Sequence, residues 1–279
     1  MDCWKWYSDY NTASQEKYFS PGYLSTVNLI VEIRRDHASK KIENWSLIVN
    51  EFRTMHSSTA TQVFVRQNSL IRQVYAWMGA GLAITALMSL ITLSSPAMLN
   101  AVLGNRLVFY GIMIGELVLV FTLVGAINKM SASTATLVFI AYSALNGITL
   151  SGVALAYTAS SITSTFVTTA GMFGAMSIFG FMTKRDLTSW GSFLFMGLIG
   201  VVIASVVNIF VGSSSVSWVI SGIGVIVFTG LTAYDTWKIK AMAAQGTEGR
   251  KPAILGALTL YLDFINLFLM LLRFTGNRR

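Results

Sequence analysis

Two long stretches of this chain carry no charged residue: Met130 to Thr183 and Leu187 to Tyr234. Each is long enough for two membrane-crossing helices of about 20 residues, and each is apolar on every face, without the alternation of an outer-membrane strand. The chain as a whole is only 11% charged, where soluble domains carry about a quarter. These runs therefore predict an all-α, polytopic membrane protein. Seven spans are expected, at about 74–94, 107–128, 135–157, 162–182, 191–211, 217–240 and 253–273. The connections are short, so consecutive helices should be antiparallel neighbours in one bundle.

Residues 1–54 look different. They are polar and aromatic, with no continuous apolar segment of the signal-peptide kind, and their acidic and basic residues balance. They read as an optional or misassigned extension ahead of a membrane domain at 55–279. The net charge of +8 belongs to that membrane domain. Its basic residues are scattered singly or in pairs between spans, a topology signal and not a nucleic-acid surface. Arg66 and Arg72 precede the first span, Lys129 follows the second, Lys184 and Arg185 follow the fourth, and Lys238, Lys240, Arg250 and Lys251 lie around the sixth-to-seventh connection. The opposite loops hold only Arg106. The positive-inside rule then places the N-terminus in the cytoplasm and leaves Arg278 and Arg279 outside, against the rule. A re-entrant last segment is the alternative that removes the conflict. Small residues such as Ala170, Gly174, Gly197 and Gly200 offer positions for close helix approach.

Cys3 is the only cysteine, which excludes an internal disulfide and a thiolate metal site. His37 and His56 both precede the first span, so the membrane region has no imidazole for a metal or a proton relay. No cofactor is expected. Three acids lie within apolar helices: Glu116, Asp235 and Asp263. Each costs about 2.5 to 3.5 kcal/mol to insert at depth, and such residues mark functional sites by default. Asp263 sits in LTLYLDFINLFLMLLR on a stripe of Gly256, Thr259, Asn266 and Arg273, spaced so that all fall within about a third of the helix circumference. That seam suits a central helix beside a water-accessible path.

Asp235 is about eleven residues before Gly246, a candidate C′ glycine, and Asp263 is about eleven residues after Pro252, a candidate first helical residue. At about 1.5 Å per residue, an antiparallel hairpin brings both carboxyls to nearly the same height. Two carboxylates meeting in a low-dielectric bundle cannot easily both ionise. Sharing a proton, they tie the sixth and seventh helices together. Without it they repel or take a hard cation such as Ca²⁺. Glu116, about mid-span in the second helix, has no partner that spacing identifies and is a candidate for the same ion path.

LTAYDTWKIK, ILGALTLYLDFINLFLMLLRFTGNRR, NGITLSG and GMFGAMSIFGFMTKRDL closely resemble the transmembrane Bax inhibitor motif family (Bax inhibitor-1-like) in its bacterial inner-membrane branch. The resemblance runs from about residue 60 to the end. It implies a seven-helix bundle with the last helix central, and a Ca²⁺-permeable leak whose opening depends on pH through Asp235 and Asp263. It also implies a latch, an arginine at the end of the second helix in the family's studied bacterial relative, at a position occupied here by Lys129. Lysine lacks the bidentate fork.

The expected partners are therefore the lipid bilayer, protons and Ca²⁺. Three other readings compete. One is an interaction protein that acts on membrane proteases or on cell-death and stress pathways. A second is a proton-coupled transporter. A third, an intramembrane aspartyl protease, matches at Tyr234-Asp235 but finds YLD where its GxGD element belongs, so no enzyme activity is expected. A retinal protein is disfavoured because the last span has no lysine for a Schiff base.

Overall fold

The computed structural model describes residues 21–247 and 249–279. Of the expected extension at 1–54, residues 1–20 and with them Cys3 lie outside the described residues. The chain forms two units, 1–62 and 63–279. In the first, the residues from Pro21 onward belong to helix α1 (Pro21–Ser94). The second unit holds the rest of α1, then α2 (Pro96–Leu103), α3 (Arg106–Ala126), α4 (Ala132–Ala156), α5 (Ala159–Met182), α6 (Thr188–Val211), α7 (Ser214–Ala244) and α8 (Arg250–Thr275).

Among the described residues, seven helices are long and apolar enough to cross a membrane: Gln62–Ser94 within α1, Arg106–Lys129 (α3 with the 3₁₀ turn after it), and α4 to α8. The protein is a multi-pass membrane protein. Every expected span is present, and most begin a few residues earlier than expected, several of them directly after a polar N-cap. Ser95, Asn105, Ser131, Thr158 and Ser213 each accept a backbone N–H in the first turn of the helix they start. In the turn before α6, the exposed Asp186 carboxylate takes the hydroxyl and backbone N–H of Thr188. Those two hydrogen bonds hold its carboxyl below the usual carboxylate range.

The turn between α7 and α8 forms largely as expected. Gly246 has φ +86°, Thr247 N–H reaches back to the Met242 carbonyl at 3.1 Å, and Gly246 N–H reaches that of Ala243 at 3.1 Å. This is a Schellman end. Pro252 differs from its expected place. Helix α8 begins at Arg250, so Pro252 is its third residue. The proline still costs no helical bond, because the first four N–H groups have no intrahelical partner.

Helix α8 is the centre of the bundle. Of its apolar stretch 67% is buried, against 6% for α3. It packs along α7, and also against α5 and α4, while α5 and α6 both pack on α7. Leu70, Val74 and Met78 of α1 join the cluster around Ala257, Leu258 and Tyr261.

Two ends of the bundle are tied by hydrogen bonds. At the basic end, the Lys240 ammonium donates to the carbonyls of Phe181 (2.5 Å) and Thr183 (3.3 Å) at the end of α5. There, cation and orphan carbonyls complement each other. Lys251 reaches the Asn128 carbonyl at 3.5 Å. At the other end, the tail after α8 pairs with the α4–α5 turn. Thr158 N–H donates to the Asn277 carbonyl (3.2 Å), Arg279 N–H donates to that of Ala156 (3.0 Å), and the Arg278 guanidinium lies 5.8 Å from the centroid of the Tyr157 ring. Helix α8 thus runs from one end to the other, about 39 Å at 1.5 Å per residue. It crosses outright, and the re-entrant alternative does not hold.

Close helix approach occurs at glycines other than most of those expected. A Cβ at Gly174 or Gly200 would meet nothing within 4 Å, although one at Gly197 would lie 3.0 Å from Val227. Of the tight positions, Gly147 and Gly180 are the ones that face the backbone of another helix, at the Thr85 and Ala233 carbonyls. Backbone cannot rotate away. Gly180→Ala should therefore push α5 off α7 and lower stability by about 1–3 kcal/mol, while Gly174→Ala should be tolerated. Melting of the two purified variants in one detergent checks this.

Candidate functional site: a carboxyl pair and a polar chain on the central helix

Asp235 comes from α7 and Asp263 from α8, the two helices most closely packed on each other. Asp235 is 9% exposed and Asp263 5%. Their side chains meet, close enough for one carboxyl to hydrogen-bond the other across the helix interface. Asp263 Oδ2 is buried without any hydrogen-bond partner. Lys238, one turn beyond Asp235, is exposed, with its ammonium 5.9 Å from the centroid of the Tyr234 ring. It acts on Asp235 only through space. The next residue after Asp235, Thr236, shares a 3.3 Å hydrogen bond with the Tyr75 hydroxyl of α1.

The remaining seam residues are arranged differently from the pair. Gly256 lies against Val74 and Ile239. Thr259 and Asn266 are half-buried and donate to carbonyls of their own helix, Leu255 at 3.1 Å and Leu262 at 2.8 Å. Arg273 is exposed in the last turn. The other faces of α8 are largely covered by neighbouring helices, as expected of a central helix. Lys129 ends the 3₁₀ turn after α3. It is exposed and makes no hydrogen bond or ion pair among the described residues, with either aspartate or any other group.

Glu116 has partners after all. Its carboxylate accepts from the Thr149 hydroxyl at 2.5 Å and from Asn146 Nδ2 at 3.4 Å. Asn146 Oδ1 accepts from the Tyr261 hydroxyl of α8 at 3.1 Å. That hydroxyl lies 2.6 Å from Thr85 Oγ1 of α1, and the single Thr85 proton is placed either toward it or toward the Ser143 carbonyl at 2.9 Å. One polar chain thus joins α3, α4, α8 and α1. It passes two residues from Asp263. The hairpin arithmetic that paired the aspartates would have found it too, since Glu116 lies about as far before Lys129 as Asn146 lies after Ala132.

Tyr261 is the hinge of that chain, and it is wholly buried between Phe139 and Tyr142, ring centroids 6.0 and 5.7 Å away. Tyr261→Phe keeps the rings in place and removes the hydroxyl. Hydrogen bonds of this kind within membranes contribute about 0.6 to 1.7 kcal/mol, so unfolding in detergent should show a loss of about 1 kcal/mol. Tyr261→Leu, which also removes the ring contacts, should lose more.

Residues 67–279 match the family described as inhibitor of apoptosis-promoting Bax1. The chain is 54% identical over 212 residues to the inner membrane protein YbhL of Escherichia coli, covering 74% of this chain and 91% of that protein. It is 44% identical over 222 residues to a protein of Borreliella burgdorferi, covering 78% and 96%. It is also 45% identical over 212 residues to a protein of Rickettsia prowazekii, covering 74% and 89%. With its seven spans and its central last helix, this chain belongs to the Bax inhibitor-1-like family of membrane proteins.

Proposed function

We propose that this protein is a pH-sensitive, Ca²⁺-permeable leak channel of the bacterial inner membrane, gated at the Asp235–Asp263 pair. The observation that carries the reading is the meeting of two buried carboxyls across the α7–α8 interface. In a low-dielectric site two touching carboxylates cannot both hold charge cheaply. With one proton between them, a hydrogen bond joins α7 to α8. With none, they repel each other or take up a cation.

Ca²⁺ favours carboxylate, carbonyl and water oxygens, and Asp263 Oδ2 has no protein partner to give up. Among the described residues no three acidic, histidine or cysteine side chains cluster. Two carboxylates completed by water would hold the ion weakly, which suits an ion in transit. Because Lys129 makes no ion pair with the aspartates, closure here rests on the shared proton and not on a cationic latch. Glu116, turned toward Asn146 and Thr149, serves the packing of α3 on α4. The role is conduction, not catalysis.

Raising the pH removes the shared proton, so the leak should increase with pH. In Ca²⁺-loaded liposomes, efflux through the wild type is expected to rise from about pH 6 to pH 8. Asp235→Asn or Asp263→Asn leaves an amide that donates to the remaining carboxyl at any pH, so these variants should stay tight and pH-independent. Equal tightness of wild type and both variants at every pH would overturn the channel reading and leave that of an interaction protein.

The location follows the E. coli relative, an inner membrane protein, and the orientation follows the basic end of the bundle, cytoplasmic by the positive-inside rule. A periplasm-active phosphatase fused after Arg279 should be active, and a cytoplasm-only fluorescent protein at the same place should be dark.

A further inference from the structure

Helices α1 and α5 leave two apolar hollows between them. One, of about 770 Å³, is lined by Asn68, Tyr75, Gly174, Ser177 and Met182 among others. The second, of about 510 Å³, includes Gly79, Ala86, Leu150 and Phe268. Leu82, Phe166 and Phe264 line both, so the two make one crevice.

Three observations indicate what fills it. Ser177 lines the larger hollow and is 6% exposed, yet its Oγ is buried with no hydrogen-bond partner. A buried hydroxyl without a partner costs free energy, and a turn of the Ser177 side chain toward the hollow would let a ligand oxygen there relieve it. Second, the same end of the crevice is basic. Lys184 and Arg185 follow Met182 and Arg72 follows Ile71, another lining residue, and all three are exposed. Asp186, in the same turn, is already engaged by Thr188. Third, Ser177 lies about a turn and a half of helix below Met182. A molecule with an anionic head at the basic end would place a carbonyl near Ser177 and a long apolar tail along Phe166 and Phe264.

We propose that this crevice is a binding site for one anionic glycerophospholipid. Its phosphate meets Arg72, Lys184 and Arg185, an ester carbonyl accepts from Ser177 Oγ, and an acyl chain lies along Leu82, Phe166 and Phe264. The site is independent of the ion-leak reading. It is nevertheless close to the carboxyl pair, because its walls include Phe264, next to Asp263, and Tyr75, bonded to Thr236 beside Asp235.

Native mass spectrometry of the purified full chain, mixed with equal amounts of phosphatidylglycerol and phosphatidylcholine of matched chains, tests this. The wild type should retain one phosphatidylglycerol in preference to phosphatidylcholine. Gly174→Leu puts an apolar side chain into the hollow from a position where an added Cβ meets nothing within 4 Å, and should abolish the adduct. Ser177→Ala breaks no protein hydrogen bond and should weaken retention several-fold. Arg72→Gln and Lys184→Gln should each reduce the preference for phosphatidylglycerol about fivefold. Equal adducts in wild type, Gly174→Leu and Ser177→Ala would overturn the proposal. So would a co-purified protein chain lost from Gly174→Leu while lipid retention stays unchanged, which would assign the crevice to a partner's helix.

Discussion

A helix buried at the centre of a membrane bundle must find partners for every polar side chain it carries, because neither lipid nor apolar packing supplies any. Helix α8 is that helix, and its neighbours are disposed around its needs. Asp263 is met by Asp235 from α7, and Tyr261 by Asn146 from α4 and Thr85 from α1. Thr259 and Asn266, with no such partner, fold back on carbonyls of their own helix. The one arrangement that does not fully satisfy α8 is the carboxyl pair, where Asp263 Oδ2 remains without a donor. An unsatisfied acceptor at the middle of the bundle is where a proton or a cation has most to contribute.

The two polar centres on α8 differ in kind. The Glu116 chain has donors for its carboxylate and for the Asn146 amide oxygen, and it touches four helices, so it acts as a clamp among α1, α3, α4 and α8. The aspartate pair joins only α7 to α8, and on the proposed reading it changes character with one proton. Close packing makes the contrast sharper. Gly147 brings α4 against the backbone of α1, and Gly180 brings α5 against that of α7. On the side between α1 and α5, packing is looser, and the crevice there is the part of the bundle that a lipid can complete.

Much of this was legible residue by residue. Uncharged runs revealed the spans, since a charge in lipid costs too much to appear by accident. The pairing of Asp235 with Asp263 followed from counting rise per residue from Gly246 and Pro252, and it holds despite the earlier start of α8 because two residues change height by only about 3 Å. The partners of Glu116 are encoded in the same way, since it and Asn146 lie at similar distances from the α3–α4 connection. Other features were out of reach. The expected seam treated Thr259, Asn266 and Arg273 as continuous with Asp263, but helical spacing gives direction around an axis and says nothing of what lies opposite. Gly174 and Gly180 are alike in sequence, and only the position of Ala233 separates them.

By itself, then, the sequence determined the membrane class, the seven crossings, the capped turns and the depth at which the acids lie, all of which depend on local composition and on regular rise along a helix. The tertiary structure decided which helix faces which. It buried α8, set Tyr261 between Thr85 and Asn146, left Ser177 facing an apolar hollow, and returned the tail after α8 to the α4–α5 turn. Those outcomes depend on contacts between residues up to 176 positions apart, and no periodicity within one helix encodes the neighbour it will meet.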